Sequence, residues 1–458
     1  MYDLVIRGGA VALPDGAVRP LDIGVKDGKV ECLSSGGLTG RETLNVSGLT
    51  VLPGAVDQHM HTFWGYDFES FENATKAAAM GGVTTVLDMP LDAPATLSAE
   101  RFSAKVEMAR KWAYVDFALY AGIDPLAPEV ERLAGLGAVG FKLFMDGAAP
   151  PGMYPGLDTG QLLGAMRSIA LTGVPAAIHA ENSFIVDAES RRLQSAGRMD
   201  GKAWSEARPE VAEEEAVARA LILARETRCP TSICHLSTPG SVAMVREARA
   251  DGCSVYAETC PHYLLLTWED SDRDVRVKYN PPARGRQSVE GLWRALEAGW
   301  IHAVASDHGP LTKDPAAGIW DCRPGAGDGV EVMVPLVLTE GLKRGLPPAT
   351  LVNVLSSGPA RTFGLYPKKG CLLPGSDADL CALDLKARRT IEAGRLSMLG
   401  EKWSPFEGWA VTAVPVFTVV RGNVVVRDGV FTGTPGAGRF IAGRATRARG
   451  ATPGGESA

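Results

Sequence analysis

Val51-Leu52-Pro53-Gly54-Ala55-Val56-Asp57-Gln58 is an apolar run that ends in His59-Met60-His61. Alternate side chains of a strand share one face, so a His-x-His pair at a strand's end offers both imidazoles to one divalent metal. Further along, polar residues punctuate other apolar runs in the same way. They are Lys142 in Val139–Phe144, His179 in Ala177–Asn182, His235 in Ser232–His235 and Asp307 in Val304–His308. Between these runs lie helix-like stretches: Glu131–Leu136, Gly160–Leu171, Glu213–Thr227, Gly240–Ala250 and Val289–Ala298. The alternation reads as repeated βα units. Eight strand-like runs can be counted, at 51–58, 83–90, 115–122, 139–145, 174–181, 230–236, 254–259 and 302–308. Eight parallel strands with intervening helices predict a closed (β/α)8 barrel of the TIM type, an α/β fold whose chemistry sits at the C-terminal strand ends. The chain has seven histidines, and all but His302 fall at or just beyond such an end, which points to one shared site.

Seven segments together resemble the amidohydrolase superfamily, in its cyclic-amidohydrolase branch of hydantoinases, dihydropyrimidinases, allantoinases and dihydroorotases. They are Pro53–His61, Gly140-Phe141-Lys142, His179-Ala180-Glu181-Asn182, His235-Leu236-Ser237, Glu258–Tyr263, Asn280-Pro281-Pro282 and Ser306-Asp307-His308. They stand in family order over nearly the whole chain, and as a set they are specific although each alone is modest.

The resemblance implies that His59, His61 and Asp307 hold one divalent metal ion and that His179 and His235 hold a second. Lys142 would bridge the two as N6-carboxylysine. An ammonium among cations is repelled and burial favours its neutral form, which can capture CO2 as an anionic carbamate. Paired metals would acidify a bridging water, as a lone zinc brings a water's pKa from 15.7 to about 7. Asp307 would then take the proton of the hydroxide and hand it to the departing amide nitrogen. Zinc suits such nitrogen and oxygen ligands, and manganese, cobalt, nickel or iron would also fit. His262 and His308 are expected to be hydrogen-bonding neighbours, and Cys260 packing.

The implied activity is metal-dependent hydrolysis of the C–N bond of a cyclic amide, an EC 3.5.2-type reaction on a small-molecule ureide or amide. Dihydroorotases carry an arginine two residues after the second histidine, where this chain has Phe63, and hydantoinases carry a tyrosine five residues after the lysine, where it has Gly147. Ala77–Thr85, Asp88–Thr96 and Trp403-Ser404-Pro405-Phe406 are similar to the allantoinase pattern. The match departs at Asp146–Pro150 and Trp320–Glu331, both of which would border the substrate. Allantoin, opened to allantoate in purine catabolism, is the leading substrate. The alternative is hydantoinase, dihydropyrimidinase or cyclic-imide hydrolase activity. A more remote one is a non-catalytic scaffold, which the retained set of six metal-site positions disfavours. Asn280 and the loop around Gly327 are the expected readers of the ring's edge, although the loop glycines equally suit a turn. Phe63, Trp64 and Tyr66 either wall the pocket or pack.

Strand-like alternation at both ends, in Tyr2–Gly9, Ile23–Val30, Val411–Arg421 and Asn423–Gly429, resembles the small β-sandwich that these enzymes build from both termini. The expected division is 1–52 plus 370–440 as the sandwich, 53–369 as the catalytic barrel and 441–458 as a disordered tail. The 458 residues, 45% of them hydrophobic, can bury a core of that size. A net charge of -6 gives no support for a nucleic-acid partner. Without a signal-like start or a run of membrane-spanning length, a cytoplasmic protein with no membrane partner is expected, its eight cysteines reduced. The resemblance implies a homo-oligomer, a tetramer.

Overall fold

A computed structural model describes residues 1–146, 152–325, 329–399 and 402–444. Eight short parallel strands form the barrel: Ala55–Met60, Val83–Asp88, Asp116–Leu119, Phe141–Phe144, Ala176–His179, Thr231–Ile233, Val255–Thr259 and Ala303–Val304. The first three pair in one arc and the last five in another. Parallel bridges Met60–His308 and Ala121–Phe141 close the ring. Nearly every strand residue is buried, as it must be where side chains fill the interior and helices cover the outside. The outer helices start where the sequence supplies caps. Ser98 accepts from the Arg101 amide ahead of Ala99–Trp112, and Asp158 and Gln161 form a reciprocal capping box ahead of Thr159–Thr172.

The run that opened the sequence reading is two strands in two sheets rather than one barrel strand. Thr50–Pro53 pairs with Leu380–Asp384 in the terminal sheet, and the barrel begins at Ala55. The break falls at Pro53 and Gly54 because a Cβ at Gly54 would sit 2.1 Å from Thr84 Oγ1. Only glycine lets the chain pass that close to the second barrel strand.

The terminal sheet has nine strands. Tyr2–Ala12 pairs antiparallel with Val18–Lys26 and parallel with both Gly40–Asn45 and Thr50–Pro53. Through Thr50–Pro53 the sheet continues into Leu380–Asp384 and Val414–Val420, so the two ends of the chain interleave. They share an apolar core that includes Ile6, Val25, Leu380 and Val419. Buried charges tie this sheet to the barrel. The Lys369 ammonium contacts Asp116 on the third barrel strand, and Asp377 and Asp379 at 3.0 and 2.6 Å. Arg421 Nε reaches Asp116 Oδ1 at 3.0 Å.

Residues 441–444, expected to belong to a disordered tail, are instead held against the barrel. Ile441 is buried, its amide donates to Phe117 O at 2.7 Å, and Gly443 N donates to Gly137 O at 2.9 Å. Phe440 packs against Phe102 and Phe117 and anchors this extension. Residues from 445 onward lie outside the described residues. Among the described residues no helix is long and apolar enough to cross a membrane. All eight cysteines are unpaired.

Candidate active site

His59 and His61 leave the end of the first barrel strand, and the His61 amide donates to His308 O at 2.7 Å, which pins that end to the turn after the eighth strand. The turn presents Asp307. Its Oδ1 lies 3.1 Å from His59 Nε2 and 3.3 Å from His61 Nε2, a grouping able to hold a metal ion. Across the mouth of the barrel, His179 Nδ1 and His235 Nε2 face each other at 3.0 Å. The two sets adjoin, with the His59 and His235 rings 5.3 Å apart. Lys142 is buried on the fourth strand and lines the same cavity as His59, His61, His179 and His235.

The electrostatics suit a cation. Burial pushes the His61 imidazole down to about 4 against the pull of Asp307. Burial likewise lowers His179, and takes His235 well below its ordinary value. Neutral imidazoles are the form that ligates metal. His59 differs: burial and Lys142 lower it, but Glu258 and Asp307 outweigh them and hold it near 10, the mark of two carboxylates that favour positive charge at this point. Burial alone would raise the Asp307 carboxyl, yet the surrounding imidazoles hold it well below the usual range. Imidazole nitrogens and an ionised carboxylate are a donor set that fits zinc and its neighbours in the first transition row.

Backbone strain collects at the same place. His235, Asp307 and Phe63 have φ of +39°, +48° and +48°, in the left-handed region that side chains with a Cβ rarely enter. Above the histidines opens a cavity of about 650 Å³, walled on one side by Phe63, Tyr66, Phe68, Leu91, Phe144 and Met153. Phe63 stacks on His61 at 5.2 Å with 14° between the planes. Asn280 also lines the cavity, and its Oδ1 is buried without a hydrogen-bond partner in the protein. Trp64 lies elsewhere, beneath the Arg101 guanidinium at 3.4 Å. Gly327 and Gly147 lie outside the described residues.

The Amidohydrolase family model matches residues 50–425. The chain belongs to the amidohydrolase family. It is 40% identical over 454 residues to an allantoinase from Rubrobacter xylanophilus, covering 96% of this chain and 97% of that protein. It is 37% identical over 457 residues to an L-hydantoinase from Paenarthrobacter aurescens, covering 97% of this chain and 99% of that one. The solved structure of an L-hydantoinase (dihydropyrimidinase) from Arthrobacter aurescens superposes with a TM-score of 0.90 at 35% identity, covering 96% of this chain and all of that chain. Amidohydrolases depend on metal, and the groups gathered here are of the kind that dependence requires.

This amidohydrolase supports its histidines with residues the sequence reading gave no role. Glu258 Oε1 accepts from His59 Nδ1 at 2.7 Å and from the His235 amide at 3.0 Å, while Oε2 accepts from Gln58 Nε2 at 2.6 Å. One carboxylate therefore orients a histidine of each set. Its position at the C-terminal end of a barrel strand, which singled out the histidines, could have singled it out too. Asp57 accepts from the His59 and Ser306 amides at 3.2 and 3.0 Å and so joins the first strand to the Asp307 turn. Arg208 lines the cavity, pairs with Glu181 and lies over Trp204. No periodicity marks it, because it sits just past the short helix Gly201–Ala207. His308 Nε2 donates to Glu69 Oε2 at 3.2 Å, and His262 stacks on Tyr279 with ring centroids 4.4 Å apart. Cys260 is buried in the barrel's main apolar core.

Proposed function

We propose that this amidohydrolase opens a cyclic ureide by hydrolysis, with allantoin to allantoate as the leading reaction. The observation that carries the reading is the convergence of His59, His61, Asp307, His179 and His235 around buried Lys142 at the floor of the cavity. Near full-length similarity to proteins named allantoinase and L-hydantoinase supports the substrate class. His59, His61 and Asp307 would hold one divalent cation and His179 and His235 another, with N6-carboxylated Lys142 between. The pair, zinc or alternatively manganese, cobalt, nickel or iron, would acidify a water and polarise the ring carbonyl.

The chain's own groups do the rest. Asp307, ionised at neutral pH, accepts a proton from the attacking water and returns it to the ring nitrogen as the C–N bond breaks. The water oxygen stays on the carbonyl carbon, so the products are a carboxylate and a freed ureido nitrogen. Asn280 Oδ1, a buried acceptor with no partner, takes a ring N–H and fixes the ring's edge. The aromatic wall excludes water from the reacting face.

A second reading, a hydantoin bearing an apolar substituent, is favoured by that same wall of Phe63, Tyr66, Phe68 and Phe144. Turnover of allantoin, hydantoin, 5-benzylhydantoin, dihydrouracil and dihydroorotate, with added metal and bicarbonate, tests both. Allantoin should lead, and 5-benzylhydantoin in its place would establish the second reading. Preference for dihydroorotate or dihydrouracil, or no turnover at all, would overturn both. A cytoplasmic homotetramer completes the proposal, and native mass measurement checks the assembly.

A further inference from the structure

We propose that Lys105, on the outer helix Ala99–Trp112 and out of reach of substrate, is a positioning residue. It fixes where Phe63 stands against His61, and so which ring substituents the cavity accepts. Lys105 is fully buried, and its ammonium contacts Asp88 and Asp92, at 2.8 Å for Asp92, while donating to Met89 O at 2.8 Å. Each carboxylate passes the tether on. Asp88 Oδ1 accepts from the Thr62 amide at 2.8 Å and Oδ2 from the Thr62 hydroxyl at 3.1 Å. Asp92 Oδ1 accepts from the Trp64 amide at 3.0 Å, and Oδ2 from the Thr96 hydroxyl at 2.6 Å. Phe63 is the residue between these two anchored amides, and its left-handed backbone persists only while both neighbours are held.

Packing and tether hold this loop together. One side of it walls the substrate cavity, and the other borders a second cavity of about 280 Å³ lined by Trp64, Gly65, Tyr66 and Ser70. Phe63 itself is buried, stacked on His61 and edge-on to Tyr66 and Phe68, so the tethers act together with this packing to fix where the ring stands. The tethers in turn depend on charge. Two buried carboxylates this close remain strong acceptors only with a cation between them, and Lys105 opposes the upward push of burial on Asp88. Arg101 adds a lid over Trp64, donating to Ala93 O at 2.9 Å.

The inference rests on the cyclic-ureide reading for its substrate consequence but not for the tether itself, and two measurements separate them. Hydrogen exchange on a peptide spanning Thr62 to Trp64 reads the tether without any substrate. Lys105→Met should speed exchange at those amides by about tenfold or more. The ratio of kcat/KM for 5-benzylhydantoin over unsubstituted hydantoin reads selection. It should change by about tenfold in Lys105→Met, with metal content per chain unchanged. Because Lys105→Met leaves two buried carboxylates without a cation and can fail to fold, Thr62→Val and Asp92→Asn serve beside it. Each removes one strand of the tether and should move both readouts in the same direction by about threefold. Unchanged exchange and an unchanged ratio in folded Thr62→Val and Asp92→Asn would overturn the proposal. Wild-type protein inactive on both hydantoins would overturn the substrate reading and its selection consequence, while the exchange rates would still decide the tether.

Discussion

Replacing Glu258 with glutamine tests how much of the metal affinity comes from a group that touches no metal. The side chain is buried on the barrel strand Val255–Thr259 and holds the His59 ring, the His235 backbone and Gln58 at 2.6–3.0 Å. Glu258→Gln keeps the volume and removes the charge. The hydrogen bonds need not be lost, because Gln58 Oε1 is buried without a partner and a turn of that amide can meet the new donor. What disappears is the largest influence raising the basicity of His59. A histidine paired with a carboxylate gives up about 10–100-fold in metal affinity when the pair is broken, which is about 1.4–2.8 kcal/mol. The lower half of that range is expected here, since the geometry survives. Glu258→Leu should do worse, as it leaves three donors unpaired at about 1–3 kcal/mol each. The assay is competition with a calibrated chelator on metal-depleted protein, with thermal unfolding run alongside. A Glu258→Gln protein that binds zinc as tightly as wild type would show that charge relay through His59 is not part of the design.

Lys142→Ala should abolish activity and bound metal together, and short-chain carboxylic acids should restore part of both by standing in for the carbamate. Full activity in that variant would rule out the bridge. Asn280→Leu should raise KM by about tenfold or more with less effect on metal content, read by steady-state kinetics on allantoin. Gly54→Ala should cost about 1–3 kcal/mol of stability through overpacking against Thr84 and lower the melting temperature, whereas Gly135→Ala, with open space at its Cβ, should not. Burial opposes ionisation of Glu181, but Arg208 and His179 outweigh it and hold the carboxyl down to about 2. A depressed acid stabilises the fold fully above its unfolded value of about 4.5, and that support is lost as pH falls toward 2. Glu181→Gln should therefore flatten the acid limb of a stability profile measured by urea unfolding between those limits.

Much of the barrel could be read because its strands are buried on both faces and end in residues too polar for a core. Continuous apolar runs interrupted by His61, Lys142, His179, His235 and Asp307 carry strand position and site position in one signal. The signal failed where two elements abut without a polar break. Thr50–Pro53 and Ala55–Met60 read as one run, since the cue was a single glycine whose need appears only when Thr84 is seen against it. Supporting groups were missed for a different reason. Asp57 bonds to Ser306, 249 residues away in sequence, and Glu258 to His59, 199 away, so even where a strand-end position marks such a residue no local pattern encodes the pairing. The packed residues 441–444 fall in the expected tail because they lack periodicity, and Phe440 just before them is their anchor. Two aromatic contacts and two backbone hydrogen bonds to the barrel hold them instead.

The ion cluster of Lys369, Asp116, Asp377, Asp379 and Arg421 limits how this protein can be dissected. A cut that frees the barrel from the terminal strands would strip Asp116 of its Arg421 partner and Lys369 of two of its three carboxylates. Unpaired charge in such surroundings costs several kcal/mol per group, comparable with the whole margin by which a domain stays folded. The chemistry-bearing half is thus not a portable module, and truncation ahead of Asp377 should yield insoluble chain rather than a smaller enzyme.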